Sequence, residues 1–243
     1  MARSASLAPG AGRDPGPGPE APSPPGFALP SPAEVVPRLR GVFHQWGAVV
    51  FGVIGLALVV VAPKAQMRVA LAVYAVGLTG MLTISALYHR GPWTPRTKRI
   101  WQKLDHSGIF LAIAGTYTPL SAAVGGALGP SLLVTVWVAA AAGIAFEWLP
   151  IRRPAWYGVV VYIALGWLAV VALPRFWTLL GLPGFSLVVV GGVLYTLGAI
   201  VLATQWPNPS PRVFGYHEVW HVFTLVAALA QFVAIASTVA LRG

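Results

Sequence analysis

Residues 216–240 read YHEVWHVFTLVAALAQFVAIASTVA. After a first turn with two histidines and a glutamate the stretch carries no charge, and at 1.5 Å per residue its 25 residues exceed the roughly 30 Å of a bilayer's hydrocarbon layer. A lone segment in hydrocarbon must satisfy its backbone polar groups internally, so the stretch predicts a membrane-spanning helix with its ionisable residues gathered at one end.

Working outward, six more apolar stretches of similar length precede it, at about 42–62, 69–89, 104–125, 128–149, 156–173 and 183–204. Between them lie Pro63, Gly91 to Arg99, Gly125 to Gly129, Pro150 to Pro154, Pro174 and the run Pro207, Pro209, Pro211, the residues expected where helices stop. Pro119 falls inside the third stretch and is expected to bend it. Composition agrees: 57% of the 243 residues are hydrophobic and 9% charged, against about 25% charged in soluble domains. The fold class read from this pattern is all-α and integral to the membrane, a seven-helix bundle over 38–243. Residues 1–37 hold ten of the 22 prolines and little aliphatic surface, and read as a disordered tail.

The chain has 16 basic and 6 acidic residues and no cysteine, which excludes a disulfide scaffold, a thiolate metal site and a cysteine nucleophile. With the N-terminus inside, the cytoplasmic segments hold Arg38, Arg40, Arg90, Arg96, Lys98, Arg99, Lys103, Arg152, Arg153 and Arg212. The other side keeps Lys64, Arg68, Arg175 and Arg242. The positive-inside rule therefore predicts a cytoplasmic N-terminus and an external C-terminus, in a multi-pass protein of the plasma membrane. Spread over short loops, this charge builds no folded basic surface, so nucleic acid is not expected as a partner; membrane lipids are.

Only Asp105, Glu147 and Glu218 are acidic after residue 40, and ionisable groups near spans are costly enough to suggest function. His44 opens the first span, His89 closes the second, His106 opens the third, and His217 and His221 open the seventh. With seven crossings, all these ends share one membrane face. His217 and His221 are one turn apart on one helix face and can share a metal, for which His89 is the best third ligand. Ser85 lies one turn deeper than His89, and Asp105 is placed to orient a water or accept its proton. Each piece also has a plainer reading. The histidine pair fits aromatic packing, Asp105 a helix cap or a pair with Lys103, Ser85 a bond to its own backbone, and Glu147 a pair with Arg152 and Arg153. Residues 217–221 also fit the H-E-x-x-H pattern of zinc metalloproteases, with Glu218 as base, although no acidic ligand follows His221.

Together RLRGVFH (38–44), SALYH (85–89), LDHSGIFLAIAGTYTP (104–119) and YHEVWH (216–221) resemble the hemolysin III family, within the progestin and adiponectin receptor superfamily. The resemblance covers roughly residues 38–240. The family's Ser-x-x-x-His motif falls on Ser85 and His89, its Asp-x-Ser-Gly on Asp105, Ser107 and Gly108, and its His-x-x-x-His on His217 and His221. It implies zinc held by His89, His217 and His221 near the cytoplasmic face, with a water beside Asp105. It also makes lipid amide hydrolysis plausible, since adiponectin receptors show ceramidase activity. The acidic residue and asparagine that the receptors carry around the first span are not evident here, where His44 stands instead, so the resemblance does not by itself imply receptor behaviour or hormone binding. Three functions follow as expectations: a zinc-dependent lipid amide or ester hydrolase using Asp105 and Ser85, a non-enzymatic membrane-homeostasis or receptor-like protein with structural zinc, and a pore-forming hemolysin.

Overall fold

A computed structural model describes residues 36–151 and 156–240. The proline-rich tail up to residue 35, Arg152, Arg153 and Arg242 lie outside the described residues. The described chain is helical: α1 Val42–Val61, α2 Ala65–Arg90, α3 Pro95–Val124, α4 Leu128–Trp148, α5 Trp156–Gly166, a 3-10 segment Trp167–Ala172, α6 Leu173–Thr204 and α7 Tyr216–Ala240. Among the described residues six helical stretches are long and apolar enough to cross a membrane, one of them the 49-residue run Trp156–Thr204.

That run does not extend as one rod. At Gly181 the backbone leaves helical dihedrals (φ 62°, ψ −175°), and Pro183 follows. The indole Nε1 of Trp167 donates to Thr196 Oγ1 at 3.0 Å, across 29 residues that would stretch over roughly 40 Å if they were straight helix. The chain has therefore turned back on itself. Starts and stops elsewhere follow local chemistry. Thr94 caps α3 by accepting from Thr97 N–H, with Pro95 in the first turn, so α3 begins nine residues before the apolar stretch that announces it. Beyond Pro119 the same helix continues to Val124.

Small residues set the closest packing. α2 and α3 run antiparallel, with Gly108 against Met81, Gly77 against Leu111 and Gly115 against Tyr74. A Cβ on Gly77 would stand 2.8 Å from the Leu111 carbonyl oxygen, so only glycine permits this backbone approach. Gly77→Ala is expected to cost about 1–3 kcal/mol, read as a lower unfolding temperature in detergent. Gly80→Ala, where a Cβ meets nothing within 4 Å, is expected to leave it unchanged. Large apolar side chains such as Val53, Leu56, Val60, Val76 and Val134 face outward, as lipid rather than water as solvent requires.

Candidate metal centre

Antiparallel α2 and α7 meet in register at one end of the bundle. His89 Nε2 lies 3.1 Å from His217 Nε2, and the tyrosine fifteen residues back from His89, Tyr74, lies beside Phe232, fifteen residues on from His217. His221, one turn into α7, has its ring centroid 4.6 Å from that of His217 and 5.3 Å from that of His89. Nitrogens of all three rings fall within 4.8 Å of one another. The structure thus brings together the three histidines picked out by spacing. Ser85, facing inward one turn below His89, stands beside Asp105 of α3, and both side chains are buried. Asp105 stands outside the mutually close nitrogen set and does not pair with Lys103, whose Nζ instead donates to the Trp148 carbonyl at 3.4 Å.

Three further residues take roles that spacing did not supply. His44, at the start of α1, is buried and stacks on His221 with centroids 3.6 Å apart and planes 11° from parallel. Its position at the shared end was legible, but a stacking partner on another helix was not. Glu218 is fully buried and accepts from Arg40 Nε and, at 2.8 Å, from Gly215 N–H. Its carboxylate thus ties the start of α7 to the segment ahead of α1, where Arg38 and Leu39 N–H donate to the carbonyls of Arg212 and Val213 at 3.1 Å. That use of both oxygens removes Glu218 as the base of a metalloprotease-type H-E-x-x-H site. Glu147 meets His106 Nδ1 at 3.2 Å, joining α4 to α3.

The ion pair at Arg40 gives a sharp expectation. Removing one member of a buried pair strands the other charge at a cost of about 3–5 kcal/mol. Arg40→Ala should therefore lower thermal stability strongly, and adding Glu218→Gln should recover much of the loss, because a neutral amide is cheaper to bury.

The donor set fits a zinc ion. Tetrahedral zinc with Zn–N bonds of about 2.0–2.1 Å needs ligand nitrogens roughly 3.3–3.4 Å apart, close to the 3.1 Å between His89 and His217. Neither ring nitrogen of buried His221 has a hydrogen-bond partner, an arrangement that a metal bond on one of them would relieve. Beside the cluster opens a cavity of about 160 Å³, with His44, Ser85 and Trp220 at its near end and α3, α5, α6 and α7 around it.

A partly buried three-histidine cluster at one end of a bundle of long apolar helices defines a helical, multi-pass membrane protein with a candidate metal centre. The sequence profile described as Haemolysin-III related matches residues 34–232, and the chain belongs to that family. It is 34% identical to Hemolysin-3 of Bacillus cereus over 200 residues, covering 81% of this chain and 88% of that protein. Identity to the Hemolysin-3 homolog of Bacillus subtilis is 37% over 141 residues, 58% of this chain and 63% of the relative. A more distant relative, the Monocyte to macrophage differentiation factor of Homo sapiens, is 23% identical over 168 residues, 67% of each chain.

Proposed function

We propose that the protein is a zinc-dependent integral membrane hydrolase of a lipid amide or ester bond. The observation that carries this reading is the convergence of His89, His217 and His221 within 4.8 Å, one helical turn from Ser85 and its neighbour Asp105, with His44 stacked on His221 and lining a mostly apolar cavity. Zinc, when bound, polarises a carbonyl and lowers the pKa of water toward about 7. The chain's own groups divide the remaining work. Asp105 takes the proton of the attacking water and returns it to the leaving group. Ser85, beside Asp105, orients that carboxylate. The cavity walls, apolar for most of their length, hold the hydrocarbon part of a substrate and keep bulk water from the reacting bond.

Seven crossings belong to the same proposal. The hydrogen bond from Trp167 to Thr196 supports counting the Trp156–Thr204 run as two passes, which puts the starts of α1, α3 and α7 and the end of α2 on one face. The basic residues gathered at that face argue for a cytoplasmic N-terminus, an external C-terminus and a plasma-membrane location. A second reading, structural zinc, draws support from the ligand positions: one on α2 and two on α7, so that a metal would fasten helices far apart in sequence. A pore finds less support, since the cavity lining is mostly apolar.

The test is metal analysis of protein purified in detergent, alongside hydrolysis of a panel of long-chain amides and esters in lipid discs. About one zinc per chain is expected, with turnover lost on chelation and restored by zinc. Protein without zinc, or turnover indifferent to chelation, would overturn the reading.

A further inference from the structure

The cavity beside the histidines is not apolar to its far end. There α7 contributes Gln231, which is only 8% exposed. Its amide is held in one orientation, because Nε2 donates to the Val188 carbonyl of α6 at 3.0 Å. Close packing reinforces the hold: a Cβ on Gly191 would stand 2.6 Å from that nitrogen. The other amide atom, Oε1, has no hydrogen-bond partner although Gln231 lines the cavity. A buried, unpartnered acceptor beside a hydrocarbon-walled space gains most from a donor that arrives with the ligand.

A water fits the place poorly, since a buried water typically makes two to four hydrogen bonds. Val188, whose carbonyl holds the Gln231 amide, lines the cavity together with Val189 and Gly192 of the same helix. The nearby Thr196 hydroxyl already donates to the Gly192 carbonyl at 2.9 Å. A hydroxyl carried on a lipid chain needs no such cage, because the packed chain itself holds it in place.

Depth follows from the helix. Gln231 lies ten residues beyond His221 on the continuous α7, which is roughly 15 Å at 1.5 Å per residue. We propose that the deep end of the cavity is a hydroxyl-recognition site, with Gln231 Oε1 as acceptor, selecting lipids whose chain bears a mid-chain hydroxyl roughly 15 Å from the group held at the histidines. This rests on the preceding reading only in taking the histidine cluster as the place of the lipid's polar head; the hydroxyl site itself stands without catalysis.

The experiment measures equilibrium binding of stearate and of its analogues with a hydroxyl next to the carboxylate, at mid-chain or at the chain end, to purified full-length protein in lipid discs. The mid-chain analogue is expected to bind roughly tenfold more tightly than stearate, the value of one well-placed hydrogen bond, and the other two to gain little. Gln231→Leu should erase the preference while stearate still binds. Thr224→Val, on the same helix nearer the histidines, should preserve it. Equal binding across the panel by the wild-type protein, as when a water occupies Gln231, overturns the inference whether or not any variant folds. A preference retained in Gln231→Leu overturns it as well. Assaying the zinc-loaded protein for hydrolysis of the lipid panel separates the two readings: a hydroxyl preference in a zinc-loaded protein that hydrolyses nothing sinks the hydrolase and leaves the site. Hydrolysis without that preference does the reverse.

Discussion

Alanine at position 217 is expected to abolish zinc retention and turnover together. His217 supplies one of three nitrogens and lies 3.1 Å from the His89 nitrogen, so its loss leaves two donors, one on α2 and one on α7. Disturbing groups that merely orient zinc ligands costs about 10–100-fold in affinity. Removing a ligand should exceed that, and zinc per chain after dialysis is expected to fall from about one toward zero. His217 is only partly buried, unlike His221, so the fold should survive the change. An unfolding temperature close to that of zinc-stripped wild-type protein would establish this. Full zinc retention in His217→Ala would remove the metal centre from the account and the hydrolase with it.

Much of this arrangement was written in local sequence. The apolar lengths placed α1, α4 and α7 within a residue or two of where they lie, because a span has to match the bilayer and its ends are marked by polar or helix-breaking residues. The i, i+4 spacing of His217 and His221 fixes a shared helix face, and alternation of spans carries His89 to the same end. What local sequence could not give was set by contacts between distant helices. The early start of α3 lies in a basic, amphipathic turn that hydropathy undervalues. The stretch before Gly181 reads as a loop by its Pro174 and Arg175 yet continues as helix. Glu218 fits a protease base by spacing alone, and the partly buried Arg40 that binds its carboxylate lies 178 residues away. His44 against His221 and Gln231 against Val188 are likewise long-range, and no spacing rule predicts them.

Asp105→Asn separates catalytic from structural zinc. The asparagine keeps nearly the same shape, so packing around this buried position is preserved, but an amide takes no proton from water. If Asp105 is the base, turnover at saturating zinc should drop by about 10²–10⁴-fold while zinc content and unfolding temperature stay near wild type. Under structural zinc the order is inverted. Asp105 would then have to move in from outside the close nitrogen set to complete the coordination shell, and the change should loosen zinc and lower the unfolding temperature, with no turnover to lose. Ser85→Ala refines the distinction, because Ser85 stands beside Asp105 and at the near end of the cavity. On the hydrolase reading it should reduce kcat less than Asp105→Asn does, since the carboxylate that takes the proton remains. A Ser85→Ala loss equal to that of Asp105→Asn would mean that the carboxylate cannot work unless it is held, and Ser85→Thr, which restores the hydroxyl, should then recover part of the rate.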